Sequence, residues 1–600
     1  MVGTLLAALI AAKAAGEVEV TLAASEGWRH EAAVEELAPG VSVLTIALTN
    51  GVAAVPPVTD VRISVPGAGA TQLWTSDPMG CCRLWPVGWG TTRYSSQLAS
   101  ETPIAVAFGP DDRAVFSAAA DETFEKVDYA LTIDEKSCRL TGHFRFFTES
   151  PTPRRGHRLR LRLDARRLGT DAAVREAADW IFAANGFVAA EVPDVAREPL
   201  YSTWYAHWQD VRADELEREA KIAADLGMKA MILDDGWQKV RSKTFYSATG
   251  DWMPVAERFP DMAGHVARVK AMGLKYMLWL SVPFVGCESA AWTRFEGKYL
   301  NLRDGGTVGV LDPRYPEVRD YLASTYERVV RDWGFDGVKL DFIDKFVLPK
   351  ADPAARTSWI GCDTRSVPEA VDRLMKDVLA RLRKINPEVL VEFRQRYMGA
   401  AIRQYGNMIR ATDCPADPTA NRKRIADLRL TSGTTAVHSD MLVWSDAETA
   451  EGAAYPILSA LFGVIQYSMP LERTGELHRE VIRHWIRFAR THRAALLEGA
   501  FRAHEPEKFY TVLEGESDAE RVIAVYAPDR LADLGALDRR IVLVNATKKP
   551  SLAVDLREAA AFRFFDTLGR ETGGTKAGPG LVRLPVPVSG YAICNRTTER

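Results

Sequence analysis

Cysteine is scarce in this chain. Among 600 residues there are seven: Cys81, Cys82, Cys138, Cys287, Cys362, Cys414 and Cys594. None belongs to a CxxC pair, and adjacent Cys81 and Cys82 cannot reach ordinary disulfide geometry with each other. An odd, sparse set argues against a disulfide framework and a structural zinc site, though one or two bridges are left open. Histidine is scarce too, and the ten present form no HExxH. There is no P-loop and no GxGxxG after a strand, so the nucleotide-binding signatures are missing. The formal net charge is -3, with no block of like charge, which removes the basic footprint of a nucleic-acid binder. No run reaches the roughly 20 apolar residues that span a bilayer, so no membrane partner is expected.

The first residues leave two readings open. Leu5 to Ala12 is apolar, and Ala12-Lys13-Ala14 has the small-x-small form of a cleavage site, but a positive leader is missing. Residues 1–16 are either a signal segment of a periplasmic or secreted protein, or an ordinary start of a cytoplasmic one.

The composition is that of a soluble globular protein, 47% hydrophobic and 26% charged. The length exceeds the roughly 250–300 residues at which one core stops growing, so several domains are expected. The pattern changes character twice. Up to Leu163, short alternating stretches such as VEVTL, VSVLTIAL and DYALTI are broken by Pro, Gly and Asp. That is the signature of an antiparallel sandwich. From Pro199 to Glu498 the rhythm becomes strand, loop, helix. From Gly499 short strands return. The expected domains are an N-terminal β-sandwich (17–195), a (β/α)8 TIM barrel (196–498) and a small C-terminal β-sandwich (499–600).

Eight strands are expected in the middle section, at 200–208, 229–237, 274–283, 336–343, 388–396, 406–413, 435–443 and 464–470. Helical patterns between them stop at glycine, as at Gly227 and Gly334. An open doubly wound sheet is the rival fold. Polar and aromatic residues at nearly every strand's C-terminal end favour the barrel, because barrel active sites form there.

Those strand ends carry the chemistry. Strand two ends in Asp234-Asp235-Gly236-Trp237, and paired carboxylates are costly unless cations or donors meet them. Sugar hydroxyls are such donors, although an Asp here could simply cap a helix. In strand four, Lys339 and Asp341 share a face. A nearby ammonium keeps a carboxylate nucleophile ionised, although a structural ion pair would look the same. Strand six ends in Arg410-Ala411-Thr412-Asp413, where Asp413 is a candidate proton donor or just a turn residue. Trp204, Tyr205 and Trp208 on strand one and Trp279 on strand three offer aromatic faces for a sugar ring, or for ordinary packing. Glu392, Arg394 and Gln395 on strand five and His438 and Asp440 on strand seven are further mouth residues. In the first domain, Trp85, Trp89 and Tyr94 are candidates for a loop lent to the pocket.

At these residues the chain resembles glycoside hydrolase family 36, the α-galactosidase and raffinose synthase clan. LDDGWQ (233–238), GDW (250–252), RFP (258–260), GLKYMLWL (273–280) and VKLDF (338–342) follow the family's order. The resemblance implies Asp341 as nucleophile and Asp413 as general acid/base, with Asp417 in reserve. It also implies that Asp234 and Asp235 hold the C4 and C6 hydroxyls of galactose, that Lys339 touches sugar hydroxyls and that Trp279 packs near the ring. Strand five departs from the pattern. It reads VEFRQRYMG where larger bacterial members carry a glycine-rich segment, so Arg394, Gln395 and Arg396 are expected to take over its contacts. RATDCPADP (410–418) and HSDMLVW (438–444) are closer to the raffinose synthase branch.

The implied activity is retaining hydrolysis of terminal α-galactosides. It needs an ionised Asp341, held so by Lys339, and a protonated Asp413. Alternatives are an α-galactosyltransferase, another α-glycosidase such as an α-N-acetylgalactosaminidase, and a non-catalytic carbohydrate-binding protein. No cofactor or metal is implied. The expected partner is a glycoside or oligosaccharide, with a homo-oligomer left open.

Overall fold

The computed structural model describes residues 6–12, 16–23, 26–78, 83–84, 93–239 and 243–596. A (β/α)8 barrel stands between an antiparallel β domain and a last β domain of mixed sheets. The first domain packs a six-stranded sheet on a seven-stranded one. Its strands alternate buried and exposed positions, as in Thr59–Pro66 and Arg139–Phe146, and the inward halves make a core of their own. Leu6–Ala12 is an edge strand there, antiparallel to Gly16–Leu22. The last domain pairs a seven-stranded sheet with a three-stranded one around a third core. The five described cysteines, Cys138, Cys287, Cys362, Cys414 and Cys594, are free thiols. Among the described residues no helix is long and apolar enough to cross a membrane.

All eight expected barrel strands are present and parallel, each shorter than its apolar pattern. In order they are Leu200–Ser202, Ala230–Leu233, Lys275–Ser281, Gly337–Asp341, Leu390–Arg394, Met408–Arg410, Ala436–His438 and Gln466–Tyr467. Strand eight pairs with strand one, and a parallel bridge from His438 to Val464 closes the ring against strand seven.

Residues two apart on a strand share a face, so strand parity decides what enters the barrel. Leu200, Ile232, Met277, Leu390, Met408 and Ala436 form an apolar plug at its base. Two residues further along lie Ser202, Asp234, Trp279, Lys339, Glu392, Arg410 and His438, all buried. Two further again lie Ser281, Asp341, Arg394 and Asp440. Branched apolar side chains usually fill such layers. Here the upper two layers are polar, which marks the C-terminal end as the working face.

Most strands are followed by an ordinary amphipathic helix. Val367–Ile385, after strand four, buries Val367, Ala370, Val371, Leu374, Met375, Val378, Leu379 and Leu382, one stripe at helical spacing. After strand five only two 3-10 turns stand, Gln395–Tyr397 and Ala400–Gln404. The helix Thr170–Ala184, which leads out of the first domain, packs beside them. Arg403 there lies 3.8 Å over the Phe182 ring.

The helix after strand six, Pro418–Thr431, is buried nearly all round although Arg, Lys and Asp fill it. A polar helix is stable inside only if other domains satisfy its groups. Trp74 of the first domain and Tyr510 of the last both donate to Asp427 Oδ1, at 3.0 and 2.6 Å. Lys423 Nζ donates to Asp427 Oδ2 at 2.7 Å. Arg422 reaches Phe509 O and Arg424 reaches Pro78 O. Three domains thus meet on one carboxylate. Asp427→Ala removes the acceptor of three buried donors and should cost roughly 3–5 kcal/mol. A urea midpoint within error of wild type would contradict this.

Candidate functional site

Lys339 and Asp341 project into the barrel together, but Lys339 is not the close partner of Asp341. Its Nζ donates to Asp234 Oδ2 at 2.6 Å, with both side chains buried. Spacing along a strand shows which residues share a face, not which neighbour across the barrel binds each one.

Asp341 is held by three hydrogen-bond donors and one ion pair. Oδ1 accepts from Phe342 N at 2.8 Å and Tyr397 OH at 3.0 Å, and Arg394 Nε lies 3.2 Å from it. Among the described residues Oδ2 accepts only the Trp279 indole N–H, at 3.1 Å. The Phe342 amide turns back because that residue has φ 66, a left-handed backbone that is unfavourable without glycine. Burial pushes the Asp341 carboxyl up. Arg394 first and Lys339 second outweigh burial, and the net is a pKa below the ordinary value.

Asp413 lies just past strand six, with its side chain 46% exposed. Arg410 Nη2 donates to its Oδ1 at 2.8 Å, and Arg394 Nη1 to its Oδ2 at 3.4 Å. Against the pull of burial, Arg410 and then Arg394 hold its carboxyl well below the usual carboxylate range. The expectation of a protonated Asp413 in the resting site is therefore corrected. Its cations come from strands five and six, and the Arg394 contact spans nineteen residues of sequence. Arg394 thus touches Asp341 and Asp413 at once, which places the two carboxylates around one guanidinium.

Asp440 is fully buried and takes Arg410 Nη1, Cys414 N at 2.6 Å and Tyr205 OH at 3.0 Å. Burial raises its pKa despite Arg410. Asp235 accepts from Gln209 Nε2 at 2.8 Å and from Gln238 Nε2, and burial pushes its carboxyl to about 6. Only glycine fits at position 236, where a Cβ would stand 2.6 Å from Gln209 Cα and φ is 111. Trp237 is fully buried and donates to Trp279 O at 2.9 Å, while Trp252 packs against both. The DDGW and GDW segments thus brace strand three.

Trp204 and Tyr205 are not on strand one but in the helical turn Trp204–His207 beyond it. An alternating aromatic run fits strand and helix equally over so few residues. Trp204 packs 5.1 Å from Trp208, which is 58% exposed at the rim. Glu392 lies beneath the mouth, bound by Gln466 Nε2 at 2.6 Å. His438 contacts Ala196 O at 2.8 Å, and burial pushes it down to about 3, so it is a neutral structural residue. Asp417 caps the next helix through Ala420 N at 3.0 Å.

Trp85 and Trp89 lie outside the described residues. Tyr94 stands in a first-domain sheet, 5.7 Å from the Tyr129 ring. The first domain does reach the segment after strand five, where Glu101 N donates to Arg396 O at 2.8 Å. Tyr397 and Tyr246, whose ring stacks 6.4 Å from Trp279, are site residues that strand patterns missed, because both sit on irregular segments. The RQRYMG stretch after strand five was the available signal for Tyr397. Among the described residues no cluster of His, Cys, Asp or Glu could hold a metal ion.

Fold and mouth together define a (β/α)8 barrel with a carboxylate-rich cleft at its C-terminal end. Residues 183–399 match the Melibiase family model. A probable alpha-galactosidase C of Aspergillus flavus is 26% identical over 174 residues, 26% of this chain and 23% of the relative. Alpha-galactosidase Mel36A of Lactobacillus acidophilus is 30% identical over 156 residues, 25% of this chain and 20% of the relative. The matching segment is thus about a quarter or less of these relatives' length. The alpha-galactosidase structure of Lactobacillus brevis covers all of this chain, with 85% of that chain covered, at TM-score 0.65 and 15% identity. A Geobacillus stearothermophilus AgaA variant solved with raffinose covers 98%, with 83% of that chain covered, at TM-score 0.63 and 14% identity.

Replacing Arg394 by Met should remove part of the cation that depresses both carboxyls. A depressed carboxyl contributes stability above its unfolded pKa, roughly 3.9, and loses it as pH falls through the folded value. The variant should therefore be less stable at pH 6 by about 3 kcal/mol, the size of one buried partner lost. The gap should narrow as pH falls below about 4 towards the folded values. Urea unfolding from pH 6 to 2.5 reads it, and a pH-independent gap would contradict it.

Proposed function

We propose that the protein is a retaining α-galactosidase that removes terminal α-galactose by double displacement. The observation that carries this reading is the single guanidinium of Arg394 in contact with Asp341 and Asp413. Two carboxylates flanking one small space are the working parts of a glycosidase.

In the first step Asp341 attacks the anomeric carbon. Oδ2 is the attacking oxygen, because Oδ1 already accepts two hydrogen bonds and lies in the Arg394 ion pair, while among the described residues Oδ2 accepts only the Trp279 N–H. The C1–O bond breaks, and Asp413 gives its proton to the leaving oxygen. In the second step water attacks C1, its proton passes to the Asp413 carboxylate, and the ester to Asp341 breaks. Two inversions return the α-configuration. Asp234, fixed by Lys339, and Asp235, fixed by Gln209 and Gln238, offer acceptors to the sugar hydroxyls on the strand-two side. Trp279 acts chiefly by holding Asp341. A bound sugar covers Asp413, removes its water and raises its carboxyl towards the protonated form the first step needs. The names of the relatives, all alpha-galactosidases, agree with the substrate.

Asp341→Ala should fold normally and lose at least about 10³ in kcat, since no covalent route remains. Added azide should restore turnover and give the β-galactosyl azide. Near-normal activity without azide would refute the assignment. The pH profile is a second test. In the complex, where the sugar has raised Asp413, kcat should fall as pH drops through the Asp341 pKa and as pH rises through the Asp413 pKa. Arg394→Met raises both values, so both limbs should move to higher pH, whatever the loss in rate. A bell that stays in place or moves down would contradict the role given to Arg394.

A further inference from the structure

Arg394 touches both carboxylates, yet hydrogen bonds do not aim it. Among the described residues its guanidinium donates one, from Nη1 to Asp413 Oδ2 at 3.4 Å. Nε faces Asp341 Oδ1 at 3.2 Å in an ion pair without a hydrogen bond. A guanidinium carries five N–H donors on a flexible stem, and holding such a side chain in one place costs entropy. The side chain is only 12% exposed, so water has little access to make up the missing bonds. A different contact must fix its orientation.

That contact is an aromatic face. The guanidinium carbon of Arg394 lies over the Phe342 ring, 5.1 Å from its centre, and 6.0 Å from the centre of the Tyr397 ring. A cation within about 6 Å of a ring centre is attracted to its face, most strongly where water is excluded. The Phe342 ring is itself held, since Phe284 stacks on it at 4.9 Å and Tyr246 meets it edge-on at 5.6 Å. Its placement starts in the backbone. Strand four ends at Asp341, and side chains alternate along a strand, so an extended residue 342 would face the outer helices. Phe342 instead takes φ 66 and ψ 20. The turn brings its ring to Arg394 and its amide to Asp341 Oδ1, at 2.8 Å. Such a backbone is unfavourable for a residue with a Cβ and persists only where the surroundings fix it. One residue thus grips the site twice, by its amide on the carboxylate and by its ring on the cation.

We propose that Phe342 is a positioning residue whose ring holds the Arg394 guanidinium against Asp341. Without the ring the guanidinium is free to leave Asp341 for Asp413, its hydrogen-bonded and more open neighbour. Asp341 then loses its leading cation and its carboxyl rises, while Asp413 keeps Arg410 at 2.8 Å. The other groups that face Asp341 are Lys339 on its own strand, Asp413 and Arg410 from strand six, Tyr397 after strand five and Tyr246 after strand two. Among the described residues, Arg394 alone of these cations lies over the Phe342 ring. The kinetic consequence rests on the proposed hydrolysis; the contact itself does not.

The test compares Phe342→Leu, which removes the ring, with Phe342→Tyr, which keeps it. In Phe342→Leu the acid limb of kcat should move up by about one pH unit, the scale of an opposite charge withdrawn from a carboxylate. In Phe342→Tyr the limb should stay in place. Adding Phe342→Leu to Arg394→Met should move it no further, because the ring acts through that cation. A limb unmoved in Phe342→Leu, or moved equally in both backgrounds, overturns the inference. Urea unfolding reads the same contact without turnover. A depressed carboxyl contributes stability above its unfolded pKa and loses it as pH falls through the folded one. The urea midpoint of Phe342→Leu should therefore fall short of wild type by more at pH 6 than at pH 2.5. An equal shortfall at both pH values overturns the inference. Phe342→Met, also without a ring, takes its place should Phe342→Leu fail to fold. A wild-type protein inactive on every α-galactoside refutes the hydrolase reading, while unfolding still decides this inference.

Discussion

Two carboxylates of like charge are held close to one another by the guanidinium of Arg394. Asp341 is buried and Asp413 is half open; Arg394 with Lys339 holds the first carboxyl, and Arg410 with Arg394 the second, below the ordinary value. Arg410 adds a second cation on the Asp413 side and is itself held by the buried Asp440. Bringing two like charges together costs energy that falls with an intervening opposite charge. The rest of the mouth follows from that arrangement. Tyr397 and Trp279 complete the donors to Asp341, and Lys339 is left to serve Asp234 instead.

The scaffold keeps this cluster in register from two directions. Strand parity delivers Asp234, Lys339, Asp341, Glu392, Arg394, Arg410 and Asp440 to the inside of the ring. The β domains grip the helix after strand six, whose Arg424 Nη1 donates to Thr412 O at 3.2 Å and Asp413 O at 2.8 Å. The backbone of the proposed acid/base is therefore tied to a helix that both sandwiches clamp. This gives the two non-barrel domains a physical role in a site made of barrel residues.

Much of this was legible in the sequence. Eight apolar runs ending in polar residues, with glycines closing the helices between them, are enough to read a barrel and its working end. Asp341 and Asp413 stood out for the same reason. Three features were hidden, each for a physical cause. The partner of Lys339 lies across the barrel, so strand spacing could not choose between Asp234 and Asp341. The depressed Asp413 carboxyl depends on Arg410 and also on Arg394, a contact fixed only when strands five and six align. The aromatic run at 200–208 turns into a helix after three residues, because the strand ends as soon as it reaches the mouth. The missing fifth helix left no trace either, since the helix that packs there belongs to an earlier part of the chain.

The most direct measurement is to trap the galactosyl enzyme with a fluorinated α-galactosyl fluoride that forms the ester faster than it breaks. Peptide mapping by mass spectrometry should then find one added fluorogalactosyl unit on the peptide carrying Asp341. A label on Asp413, or turnover of the reagent with no label on any carboxylate, would contradict the account.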